Sequence, residues 1–235
     1  SDPKKPTQIW TQGETEANSC WFPTIDSPNQ KTSQEIYITV PNKFKTLSNG
    51  RLISQEKSGT NRIDYWKLDQ KHAPYLFFMG VGEYEIIEDS YNNIPVNYYV
   101  EKKYASLAKD IFGLTPEMIG FFEDKLGVAY PWNKYSQIVA RDYVSGAMEN
   151  TTAVVHGDDA YQMKGQLIDE NRQENTIAHE IFHHWFGNLV TSESWSNLAL
   201  NESFANYSQY LWREYKYGKT NADAHLFENT KAYKD

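Results

Sequence analysis

A single cysteine, Cys20, in 235 residues excludes a disulfide framework, and its neighbours Trp21 and Phe22 predict a small buried position for it. Long apolar runs are also lacking. No stretch reaches the eighteen or so residues that span a bilayer, and Tyr75–Gly82 is short and broken by glycine, so no transmembrane segment is expected. The opening Ser1-Asp2-Pro3-Lys4-Lys5 does not have the make-up of a signal peptide. Clustered Lys and Arg are missing too. With 23 basic against 31 acidic residues and a net charge of -8, the chain offers no surface for phosphates, which excludes nucleic acid as an expected partner. What is present is 40% apolar residues and 15% aromatics, enough for one large core or two modest ones.

Short alternating or aromatic runs at Glu35–Val40, Arg62–Leu68 and Tyr75–Val81 are separated by Pro41-Asn42, Ser48-Asn49-Gly50 and Ser58-Gly59, a pattern of antiparallel strands and turns. The period then changes. Tyr104, Leu107, Ala108, Ile111 and Phe112 recur at helical spacing up to Gly113, which places a domain boundary near residue 97. A second helix is predicted from Thr115, as N-cap with Pro116 at the first helical position, to about Gly127. Strands follow at Ser136–Ala140 and Thr152–Val155, then helices over about Glu174–Leu189 and Asn201–Tyr217, the latter stopped by Gly218. The fold class is α+β, with a β unit over residues 1–97 and a mixed unit over residues 98–235.

The chemistry lies on the last two helices. His179-Glu180-Ile181-Phe182-His183 is an H-E-x-x-H pattern, and residues four apart on a helix share a face, so both imidazoles reach one ion. Glu180 lies one step round the helix, where a general base belongs rather than a ligand. Two histidines and a glutamate on so apolar a helix, flanked by Ile177, Ile181, Phe182, Trp185 and Phe186, need a partner, and Zn2+ would supply it. Catalytic zinc takes three protein ligands and keeps one open position. Glu202 fits the third place, with enough chain after His183 to turn through Thr191–Ser194 and return on a second helix. Alone, Glu202 would read as an early-helix carboxylate favoured by the macrodipole.

The run His179–Thr191 followed by Asn201-Glu202, together with Gly146-Ala147-Met148-Glu149-Asn150 upstream, resembles the gluzincin aminopeptidases of peptidase family M1. Gln12-Gly13-Glu14 and the Trp21–Pro28 segment resemble the part of that family's N-terminal sheet domain that reaches into the active site. The resemblance implies the C-terminal part of an antiparallel β-sandwich-like domain, then a thermolysin-like catalytic domain with paired zinc-binding helices, truncated after the helix of the third ligand. It implies that Gly146, Ala147 and Met148 form an edge strand for the substrate backbone. Glu149, with Glu14 as a second carboxylate, would bind the free ammonium of a peptide substrate. The implied activity is zinc-dependent removal of amino-terminal residues, with Glu180 activating the attacking water.

Two features depart from the family pattern. The loop Ser194–Leu200 lacks the usual tryptophan-rich acidic character, and Ser203 stands where glycine is usual. The family's oxyanion-stabilising tyrosine lies far beyond the third ligand, whereas 33 residues follow Glu202 here, and Tyr207, Tyr210, Tyr215, Tyr217 and Tyr233 read as packing or surface aromatics. The family's C-terminal helical domain is likewise missing, so the chain reads as a fragment with weak or undetectable activity alone, since one oxyanion donor is worth about 10²–10³-fold. Three other functions are compatible with the zinc motif: a thermolysin-type endopeptidase, an epoxide hydrolase of the leukotriene-hydrolase kind, and a non-catalytic scaffold. Glu149 argues against the first, because a trap for a free amine has no use in an endopeptidase.

Overall fold

A computed structural model of the protein describes residues 5–234, with side chains through Lys231; Ser1–Lys4 and the Tyr233 side chain lie outside the described residues. The first part of the chain is built from two three-stranded antiparallel sheets. Strand β1 (Gln8–Trp10) and β3 (Lys45–Ser48) flank β6 (Met79–Gly82), while β2 (Thr32–Pro41) and β4 (Arg51–Ser58) flank β5 (Asn61–His72). Alternation drives the second sheet: along β5, Arg62, Asp64, Trp66 and Leu68 are buried while the residues between them are half-exposed.

A five-stranded mixed sheet follows, in the order β10-β11-β9-β8-β7. Its strands are β7 (Tyr84–Tyr91), β8 (Ile94–Glu101), β9 (Tyr135–Ala140), β10 (Ala147–Met148) and β11 (Ala153–Gly157), with β9 parallel to both β8 and β11. β9 and β11 are buried at every position, as expected of strands covered on both faces. One face, through Ile138, Ala140, Ala153 and Val155, packs on Leu47, Trp66, Tyr75 and Leu76 of the β unit. The other, through Tyr135, Val139 and Val154, packs on the helices. The helices are α1 (Ala108–Phe112), α2 (Thr115–Leu126), α3 (Lys164–Asp169), α4 (Glu174–Phe182), α5 (Ala199–Tyr217) and α6 (Lys219–Lys234), of which α1, α2, α4 and α5 supply buried residues to that core. No helix among the described residues is long and apolar enough to cross a membrane.

Several local expectations are corrected. Cys20 is exposed, because the 3₁₀ turn Asn18–Cys20 buries Asn18 instead, whose amide donates to Pro74 O and Phe77 O. The predicted strand Tyr75–Val81 opens as a 3₁₀ turn, Pro74–Leu76, and becomes extended pairing only at Met79. The helix over Tyr104–Phe112 begins as a 3₁₀ segment, Lys102–Leu107, where Tyr104 stacks on Tyr161, and is α-helical only from Ala108. Leu114 rather than Thr115 caps α2, because the Thr115 hydroxyl is engaged by Phe112 O and Gln137 Nε2. Finally, α4 ends at Phe182 instead of running to Leu189. The apolar residues that extended the pattern, Trp185 and Phe186, are packed in a series of turns.

Candidate metal centre

α4 and α5 run antiparallel. Glu174 at the start of α4 accepts from Trp212 and Tyr217 near the end of α5, Ala178 O accepts from Ser208, and His179 and His183 come last, opposite Glu202. The apolar faces decide the rotation: Ile177, Ala178, Ile181 and Phe182 are buried against α2 and the sheet, which leaves the two histidines turned to α5. His179 Nε2 and His183 Nε2 lie 2.9 Å apart; the first is 3.4 Å from Glu202 Oε2 and the second 3.4 Å from Glu202 Oε1.

That donor set fits zinc. Ligand bonds of about 2.0–2.1 Å in a tetrahedron put neighbouring donor atoms about 3.3 Å apart, close to the observed edges, and the set of two imidazoles and a carboxylate is one that catalytic zinc uses. The His183 ring is fixed by the turn that follows it. It sits at the C-cap of α4, and the chain folds back so that its Nδ1 donates to Phe186 O at 3.0 Å, which leaves Nε2 free to bind. Gly187 makes the return possible: its φ is 128°, and a Cβ there would lie 2.9 Å from the His183 ring.

The remaining carboxylates crowd the same point. Glu180 and Glu149 are buried, and each keeps one oxygen, Oε2 and Oε1 respectively, without a hydrogen-bond partner. Glu14, Glu149 and Glu202 offer oxygens within 4.8 Å of one another, as do Glu149, Glu180 and His183 with their own donor atoms. Burial and then mutual repulsion push these acids upward: Glu14 to about 8, Glu149 to about 7, and Glu180 well above the ordinary carboxylate range. Glu202 is held below it, burial being outweighed by its hydrogen bond to His179 and the two imidazoles. Such a set is short of positive charge, which a divalent cation and a substrate ammonium would both bring.

Gly146-Ala147-Met148 lies where the sequence suggested an edge. Ala147 and Met148 form β10, the last strand of the five-stranded sheet, paired on one side only with β11, and Gly146 O accepts from Gly157 N. Gln12, two residues from Glu14, donates to Met148 Sδ and accepts from the Tyr143 hydroxyl. Two side chains that hold the site together were not legible in the pattern. His184 donates from Nδ1 to Glu180 O at 3.1 Å and accepts Thr152 N–H at Nε2, 3.0 Å, tying α4 to the segment after Glu149. Asn188 Nδ2 donates to Glu149 O. Both lie inside the extended H-E-x-x-H run, so their neighbourhood was flagged although their partners were not.

The architecture is thus an antiparallel β unit joined to a mixed sheet-and-helix unit with a two-histidine, one-glutamate centre between antiparallel helices. Residues 2–76 match the peptidase M1 N-terminal domain and residues 111–235 match the peptidase family M1 domain. The chain belongs to peptidase family M1. It is 31% identical over 200 residues to aminopeptidase M1 of Arabidopsis thaliana, covering 83% of this chain and 23% of the relative. It is 32% identical over 199 residues to glutamyl aminopeptidase of Bos taurus, covering 81% and 20%. With aminopeptidase N of Rattus norvegicus the identity is 31% over 205 residues, covering 83% and 21%. The chain spans roughly a fifth to a quarter of the length of these relatives.

Proposed function

We propose that this chain carries the metal centre of a zinc-dependent aminopeptidase, with His179, His183 and Glu202 as ligands and α4 and α5 as the paired zinc-binding helices of a thermolysin-like unit. The observation that carries the reading is the convergence of two imidazole nitrogens on the carboxylate of Glu202 at zinc-compatible separations, beside two buried, unpartnered carboxylate oxygens. The two antiparallel sheets then correspond to a sandwich-like N-terminal unit that ends with β6 at Gly82; because β7 and β8 pair within the five-stranded sheet, we place the division between units near residue 83 and not at the expected residue 97.

Bound zinc supplies a Lewis acid that polarises a carbonyl and acidifies water. The chain supplies the rest. Glu180 takes a proton from the attacking water at its carboxylate and passes it to the leaving amine. Glu149 and Glu14 hold the free ammonium of the peptide, and the fixed distance from them to the ligands counts off one residue. The open edge of β10, from Gly146 to Met148, receives the substrate backbone as an added strand. The relatives' names support an aminopeptidase over an endopeptidase. The test is a metal assay of the complete gene product, paired with hydrolysis of fluorogenic substrates bearing free or acetylated amino termini. One zinc per protein and cleavage only of free termini are expected; equal cleavage of both would sink the aminopeptidase reading.

A further inference from the structure

Tyr75 belongs to the β unit, yet its side chain ends among residues of the helical unit. The 3₁₀ turn that carries it is fixed from several sides. Asn18 donates to Pro74 O and Phe77 O at 2.7 and 3.0 Å, and Asn49 donates to Leu76 O and Thr151 O at 2.8 and 2.7 Å while accepting Phe78 N–H. A Cβ on Gly13 would lie 2.1 Å from Tyr75 O, so only glycine lets that segment rest on the turn. The backbone beneath Tyr75 therefore has little freedom, and the phenol, 1% exposed, is aimed.

Its hydroxyl meets both ligand-bearing segments. It donates to Gly187 O at 3.4 Å and accepts from Asn201 Nδ2 at 3.2 Å, both at the long end of hydrogen bonding. Gly187 belongs to the turn that brings Phe186 O onto His183. Asn201 precedes Glu202 and also accepts Ser192 N–H, from the loop that joins the two helices. Trp195 closes the far side edge-on, 5.0 Å from the ring. Burial, then Glu149, Glu14 and Glu202, hold the phenol protonated, so it keeps a proton to donate while it accepts.

We propose that Tyr75 is a positioning residue of the metal centre, whose hydroxyl ties the turn after His183 to the helix start that bears Glu202 and so sets the distance between the second and third donors. The proposal rests on the zinc reading above. It also gives the β unit a part in shaping the metal centre, through Gly187 and Asn201.

Phenylalanine fills the same volume, so Tyr75→Phe removes the hydroxyl alone. In the full chain, zinc affinity is measured by chelator competition, the visible spectrum by substituting Co2+, and the fold by thermal melting of the metal-free protein. The expected result is zinc affinity weaker by about 10–100-fold, altered Co2+ bands and a metal-free melt within a few degrees of the parent. Parent-like affinity with a superposable Co2+ spectrum would overturn the proposal while leaving the zinc reading intact. A parent protein that takes up no zinc would remove both. Should Tyr75→Phe not fold, Asn201→Ala breaks the same tie from the other side, and parent-like zinc affinity there overturns the proposal equally.

Discussion

Two groups of buried carboxylates in this molecule meet opposite fates. Asp64, in the β unit, is fully buried and fully partnered. Arg62 grips both its oxygens at 2.8 and 2.9 Å, Thr46 and Gln55 donate to it as well, and these hydrogen bonds outweigh burial to hold its carboxyl below the ordinary range. Glu149 and Glu180 are also buried, but each retains an oxygen with no partner, and burial with neighbouring carboxylates drives them upward. A fold that can seat Asp64 so completely is not short of ways to neutralise a charge. The difference marks Asp64 as a self-contained element of the core, whereas on the proposed zinc reading the second group would take its missing positive charge from outside the chain.

The sharpest way to break this comparison is to change the carboxylate assigned to proton transfer. Glu180→Gln in the complete protein is expected to lower kcat by about 10²–10⁴-fold with zinc content unchanged. Turnover near the parent rate in an aminoacyl-substrate assay would remove Glu180 from the mechanism. Almost as large, but on stability, is Arg62→Ala. It strands Asp64 in the core and is expected to cost roughly 3–5 kcal/mol in urea unfolding of the metal-free chain, with zinc affinity unaltered. A loss under about 1 kcal/mol would show that Asp64 finds another partner and that the contrast is overstated. Glu149→Ala is expected to reduce kcat/KM on free amino-terminal substrates by about 10–100-fold, since a charge-assisted hydrogen bond contributes roughly 1.5–3 kcal/mol. Unchanged kinetics on those substrates would return Glu149 to an ordinary buried acid.

These expectations also show what was legible in the residues alone. That His179 and His183 share a side of one helical stretch was readable because helical spacing is a local rule, Glu202 was readable only as the third carboxylate such a pair would need, and the edge at β10 was readable because its motif resembles a known one. The extent of α4 was not, since Trp185 and Phe186 continue a helical apolar pattern while the chain turns at Gly187. Cys20 was misplaced for a related reason: its aromatic neighbours imply burial, but the turn is anchored by Asn18 reaching Pro74 and Phe77, more than fifty residues on. Tyr75, His184 and Asn188 act through contacts with residues distant in the chain, and no window of sequence displays such pairs. Short-range geometry was visible; long-range partnership was not.

The smallest effect is also the one that sets the two groups in direct opposition. Asp64, depressed in the folded state, contributes stability that is present above its unfolded pKa of 3.8 and is lost as pH falls through its lower folded value. Glu149 has the reverse sign: raised from 4.5 to about 7, it favours the folded state fully below pH 4.5, and that contribution disappears as pH rises through about 7. Glu149→Gln abolishes this titration and the repulsion behind it. In metal-free protein the substitution is therefore expected to raise the melting temperature by a few degrees at pH 8, on the order of 1 kcal/mol, and by less at pH 5. Zinc should shrink the gain, because the cation supplies the missing charge to the parent as well. A Gln variant destabilised equally at both pH values would mean that Glu149 is satisfied as Asp64 is, and the distinction between the two groups would fail.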